Sequence, residues 1–256
     1  MKGVGVAVLI AFVFPVAGFA QSSADVTTGI AAKRQNPSTA AVTIASAIVP
    51  GAGQAMMRQK RSAVYLALET AGIAYYVTQQ RDGNRQRRQY RSLSRSVARA
   101  ELSPAGPDGS WDYYERMEKY VASGAFDRVP GGDVDPELDP ETFNGAMWLL
   151  ARQTYWRDPQ VAPSPESVEY RSAMSFYLDR AAKPEFLWSW SNNPTAFQSY
   201  RSAIAGSNTA FRNAEQTVSL ILANHFLSAI DAFASIRMRV RRDGAGTTTL
   251  SASLSF

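Results

Sequence analysis

The segment "NHFLSAIDA", Asn224 to Ala232, places a histidine and an aspartate inside an otherwise apolar run. His225 is the chain's one imidazole, so a multi-histidine zinc site is excluded. There is no cysteine, which excludes disulfides, thiolate nucleophiles and lipid attachment through an N-terminal cysteine. What remains is acid–base chemistry: Glu69 in "AVYLALETAGIAYY", His225 and Asp231. On a helix, Asn224, Ser228, Asp231 and Ser235 recur at steps of four, three and four and share a face. Leu222, Phe226, Ala229 and Phe233 share a different, apolar one. Ser62, Tyr65, Glu69, Gly72 and Tyr76 also align. An acid among apolar residues is costly unless paired. Two helices with one acid each on a polar seam therefore predict a common buried network of Glu69, Asn224, His225, Ser228 and Asp231. Arginines from 58–61 or 81–99 are the expected partners. His225 and Asp231 lie six residues apart and point to different sides of a helix, which argues against a triad built from them. The seam could hold a proton, an ion or an acid pair. No nucleophile or metal cluster completes it, so a structural network is expected and no catalytic residue, metal or cofactor is assigned.

Three other stretches carry weaker chemistry. "IVPGAGQAM" has the glycines of a phosphate loop without its Lys-Ser/Thr. Pro50, Gly51, Gly53 and Gln54 are read instead as a structural turn that ends one short apolar helix and leads through "MMRQKR" into the Glu69 helix. Its small residues would let another backbone approach, and Asn224–Asp231 is the expected one. The loop of Asp133, Asp135, Glu137 and Asp139 has prolines that break a calcium-loop pattern, and a solvated loop is expected. Arg81, Arg85, Arg88, Arg91 or Ser92, Arg95 and Arg99 recur at three- and four-residue steps. That stripe suits anionic lipid headgroups, an acidic partner or a solvated face.

The elements that must position these residues follow from composition. Residues 1–20 read as a signal peptide: Lys2, an apolar core from Val4 to Val16, and small residues at Gly18-Phe19-Ala20. A flexible leader follows over 21–38, and Ser38 or Thr39 can cap the next helix. Residues 39–78 form an apolar helical hairpin around the turn, 79–213 a helical, Arg- and aromatic-rich middle region, and 214–242 a long helix that packs on the hairpin. The tail, 243–256, alternates Leu250, Ala252, Leu254 and Phe256 with polar residues as a short β-strand does. The expected class is mainly α, with a helical domain inserted between the hairpin and the C-terminal helix.

The formal charge of +5 is modest, and an exported chain rarely meets nucleic acid. Membrane or anionic lipid, or an envelope protein, are the expected partners. Three segments, 39–57, 62–78 and 214–236, are apolar enough to enter a bilayer. A break at Pro50-Gly51 leaves the first too short to span, which suits a tilted, re-entrant or soluble hairpin. If all three crossed from an exported N-terminus, Arg58–Arg61 and the "RMRVRR" tail would both be cytoplasmic, as the positive-inside bias favours.

"NPSTAAVTIASAIVPGAGQAM" with the later "NHFLSAIDA" resembles a bacterial envelope family of unknown function, whose members pair a Pro-Gly-x-Gly-Gln block with an Asn-His-x-x-Ser-Ala-x-Asp-Ala block. "YYERMEKYVASGAFDR" and "YRSAIAGSNTAFRNA" are similar to its middle segments. Met56 stands where that family often has an aromatic ring. The resemblance implies an exported, membrane-associated, mainly helical protein with the two blocks packed together. It marks Pro50, Gly51, Gly53, Gln54, Glu69, Asn224, His225, Ser228 and Asp231, and implies no activity. The expected function is a non-enzymatic structural or accessory envelope component at the inner membrane or periplasmic face. The alternatives are an outer-membrane-linked protein, or an enzyme using Glu69, His225 and Asp231.

Overall fold

A computed structural model describes residues 38–244, with side chains through Arg239. The expected signal peptide, most of the leader and the C-terminal strand lie outside the described residues. The described chain is mainly helical, and its long last helix packs against the first and third.

Helix α1, Thr39–Ile48, starts where the Ser38 hydroxyl accepts the Ala41 amide at 3.1 Å. Pro50 ends it, because the residue before a proline is driven out of helical backbone; Val49 is extended. Gly51 takes φ +90° and opens the single turn of α2, Ala52–Met56. Helix α3 then runs unbroken over Ser62–Leu93 and α7 over Pro194–Gly244. Divisions at 78/79 and 213/214, where composition changes, thus fall inside continuous helices.

α3 and α7 lie antiparallel, and small residues on one sit under large ones on the other. A side chain at Gly72 would press on Ile221, and one at Gly83 would meet the Phe211 ring at 2.9 Å. Ser207 also donates to the Gly83 carbonyl at 3.1 Å. Farther along, Tyr90 packs edge-on against Tyr200.

The chain between them adds α4 (Trp111–Lys119), α5 (Phe143–Tyr155) and α6 (Val168–Arg180). Ser110, Thr142 and Ser167 cap these helices through their hydroxyls. One aromatic core gathers Tyr90, Tyr113, Tyr114, Phe143, Trp188, Trp190 and Tyr200. A second holds Trp148, Trp156 and Tyr177 between α5 and α6. Burial pushes the Tyr177 hydroxyl up to about 12, and it donates to the Phe126 carbonyl at 2.8 Å.

Arg99 corrects the expected stripe. Arg81, Arg85, Arg88 and Arg95 are exposed, but Arg99 is 1 % exposed. After Leu93 the helix widens into a π turn, Ser94–Ala98, and the Arg99 amide bonds the Ser94 carbonyl five residues back. The extra residue per turn swings Arg99 off the arginine face and into the core. Its guanidinium donates to Ser103 Oγ and to the carbonyls of Ser103, Pro107 and Glu185. Arg99→Met would strand these buried acceptors, each worth about 1–3 kcal/mol before any relief from removing the charge. A net loss of roughly 2 kcal/mol is expected, read as a lowered midpoint in denaturant titration.

Candidate functional site

The turn and the two polar helix faces meet in two sets of hydrogen bonds, one around Glu69 and the other around Gln54. Gln54 is fully buried at the centre of its set. Its amide nitrogen donates to the Ser228 carbonyl at 2.9 Å and to Asp231 Oδ2 at 2.8 Å. Its oxygen accepts from Ser46 at 2.9 Å and Ser228 at 3.3 Å. Both donors and both lone pairs of the amide are therefore used. The turn's own backbone is held likewise: Gly51 N–H donates to Ser228 Oγ at 2.7 Å and Gly53 N–H to Ser46 Oγ at 2.8 Å.

Both glycines are required by space. At Gly53 a Cβ would sit 2.4 Å from the Val42 carbonyl, and at Gly51 2.6 Å from the Ser62 carbonyl. At Gly51 the positive φ adds strain for any other residue. Pro50 is buried beside them. The small residues bring the backbone of α2 onto α1 and α3, while Ser228 and Asp231 of α7 reach the turn through hydrogen bonds.

Asp231 and Glu69 occupy separate parts of the seam. Arg61, just before α3, pairs with Asp231 Oδ1 at 2.8 Å and also bonds Ser235. The expectation of an arginine for Asp231 is thus met. Glu69 differs: His225 Nε2 lies 3.1 Å from Oε1, and Asn224 donates to Oε2 at 3.1 Å. Asn224 also donates to the Tyr65 carbonyl at 3.1 Å. On its far side, His225 Nδ1 is 2.8 Å from the Ala47 carbonyl at the end of α1. His225 and Asp231 engage different partners, as their spacing requires.

Chemically, this arrangement can fix helices and hold a proton. The Ser46 and Ser228 hydroxyls are both engaged with Gln54, which leaves neither poised as a nucleophile. No cluster of three or more metal-ligating side chains occurs among the described residues. In the acidic loop, burial pushes the Glu137 carboxyl up, but the amides of Ala125, Asp139 and Leu138, with Arg128, bring it below the usual range. Asp135 pairs with Arg128 at 2.8 Å. That loop is satisfied by its own chain. In the arginine stripe, Arg85 pairs with Asp82 at 2.9 Å and Arg95 with Asp108 at 2.5 Å.

Sequence periodicity missed two members of the site. Ser46 is a lone serine in a small-residue helix, and the Ala47 carbonyl is backbone, which no side-chain pattern reports. Arg61 was only one of several arginines. Asn144, in the middle region, also gave no signal, yet its buried amide joins the Ala125 and Ala182 carbonyls and accepts the Ala182 amide.

Around this polar centre the outer faces are apolar. Phe226 is 70 % exposed, and Leu220, Leu222, Leu227 and Ile230 face outward with it. So do Val64, Leu66 and Leu68 on α3 and Ile44 and Ile48 on α1. Outward Thr70 and Thr78 return their hydroxyls to the Leu66 and Ala74 carbonyls, each at 2.9 Å. By length and composition, Pro194–Arg239 could cross a membrane; its best 18-residue stretch has mean hydropathy 1.4 and is 22 % buried. Comparison with known proteins returned no matching family model, no similar curated protein and no similar solved structure.

Proposed function

We propose that the chain is a membrane-embedded structural or accessory component of the bacterial cell envelope. In this reading α3 and α7 cross the bilayer as a pair, and the α1–α2 hairpin enters it and turns back. The observation that carries it is reversed polarity: hydrogen-bonded polar groups lie inside the bundle and large apolar side chains outside. A water-facing bundle favours the opposite.

The lengths agree. From Arg61 to Arg81 the outward surface of α3 carries no charge, about 30 Å at 1.5 Å per residue. On α7 the corresponding stretch, Glu215 to Arg237, is about 33 Å, and a bilayer's hydrocarbon core is about 30 Å. The two zones coincide, because Arg61 meets Ser235 at one end and Gln79 meets Asn213 near the other. The hairpin enters at the Arg61 end, where Val42 and Met57 pack with Ala232 and Ile236. It reaches His225 halfway along and returns, with the Met57 carbonyl bonded to Arg239. Broken helix at that depth is tolerated where protein satisfies its backbone, which Ser46 and Ser228 do.

Arg81 and Arg85 then fall in the headgroup layer, about 5–7 Å thick, where anionic lipid would meet them. Arg88 and Arg95 lie beyond it, suited to an acidic protein partner. The signal-peptide reading of residues 1–20 and the resemblance of the two sequence blocks favour an envelope location. Washing isolated membranes with alkaline carbonate and with high salt tests the reading. Retention through both is expected. Release by either wash would sink an integral protein, and recovery with the outer membrane would move the site of action there.

A further inference from the structure

We propose that Glu69 and His225 form a proton-binding site that latches the hairpin tip onto α3 and α7. This rests on the membrane reading for its setting, but its chemistry follows from counting hydrogens. The Ala47 carbonyl can only accept, so His225 Nδ1 must carry a hydrogen to bond it at 2.8 Å. The 3.1 Å contact between Nε2 and Glu69 Oε1 needs a second hydrogen, borne by either atom. Glu69 Oε2 is already occupied by Asn224, whose amide can only donate there. The bridge from α1 through α7 to α3 therefore requires two protons on the pair.

Remove one, and the ring can serve a single partner. A carboxylate shut away among apolar helices demands the remaining proton more strongly than a neutral carbonyl does. His225 then donates from Nε2 to Glu69 and turns the bare lone pair of Nδ1 toward the Ala47 oxygen. Attraction at the end of α1 becomes repulsion, and the hairpin loses its hold beside the turn. The other ionisable groups near the pair are Tyr65 and Tyr76 on α3, Arg61 ahead of it, and Asp231 on α7. Arg61 and Asp231 neutralise each other at 2.8 Å, and α1 and α2 contribute no ionisable side chain.

The chain's composition makes the test clean. Its single histidine gives one imidazole signal pair after histidine-selective nitrogen-15 labelling, provided the purification tag carries no histidine. With no native cysteine, a Cys pair replacing Ile44 and Phe226, both outward-facing, accepts spin labels only there. In detergent micelles, raising the pH from about 5 to about 9 should remove the hydrogen from Nδ1 and keep one on Nε2, while the label-to-label distance widens. In Glu69→Gln the amide donates to Nε2 without needing the second proton. Nδ1 should there stay protonated, and the distance fixed, across the same range. An Nδ1 hydrogen and a distance that do not change with pH in the native chain would overturn the proposal, as would a Glu69→Gln variant that titrates like it. If Glu69→Gln does not fold, the native titration decides alone. Release of the protein from washed membranes would remove the membrane reading and leave this titration standing.

Discussion

Leu227→Arg is expected to reduce the inserted fraction of the chain about 100-fold, measured as carbonate-resistant product of translation into lipid vesicles. Leu227 is 61 % exposed and sits near the midpoint between Glu215 and Arg237. On the scale for helices entering a bilayer, arginine at the centre costs about 2.5–3.5 kcal/mol and leucine gains about 0.5, so the change is roughly 3 kcal/mol. In a helix facing water the same exposed substitution lies within about 0.5 kcal/mol. Few single changes separate the two environments so widely. Val218→Arg makes the control: near the edge of the uncharged zone its long side chain reaches the interface, and insertion should fall only slightly. If Leu227→Arg behaves like Val218→Arg, the outward face of α7 does not meet lipid.

Gln54→Leu is expected to undock the hairpin at a cost of about 3–5 kcal/mol, since two buried hydroxyls lose the acceptor of their hydrogen at about 1–3 kcal/mol each and a buried carbonyl loses one donor at about 0.5–1.5 kcal/mol. Those groups are the Ser228 carbonyl and the hydroxyls of Ser46 and Ser228. Asp231 also loses one of its donors but keeps Arg61. Leucine fills nearly the same volume, which isolates the polar loss from any cavity. Limited proteolysis at the Arg58–Arg61 connection should quicken, while the aromatic cores of the middle region keep their near-ultraviolet dichroism. Unchanged cleavage would show that apolar contacts at Val42 hold the hairpin without Gln54.

The seam was legible because helical spacing is rigid: Asn224, Ser228, Asp231 and Ser235 had to share a face, and they do. The turn was legible because proline and two glycines leave the backbone few choices. Boundaries at 78/79 and 213/214 misled for a physical reason. Composition reports what surrounds a helix, and α3 passes from apolar to arginine-rich without any change in its backbone. Arg99 escaped because a π turn alters the phase of every later residue, and no local residue type announces one. Glu69 was assigned an arginine because opposite charge is the commonest remedy for a buried acid. His225, one step from the seam's four-three-four series, is the partner instead, with Asn224.

The hairpin also settles an arithmetic of ends. A segment that dips and returns adds nothing to the number of crossings, so on the membrane reading only α3 and α7 count. Two crossings are even: Ser38 and Arg239 share one compartment, and everything from Asp82 to Arg212 occupies the other. The three-crossing scheme set the exported N-terminus opposite the basic Arg58–Arg61 and Arg237–Arg242 stretches; with an even count it joins them. An exported leader and a cytoplasmic placement of those arginines then become mutually exclusive. Whichever rule the cell obeys, reporters fused at the two ends of this segment must light up on the same side.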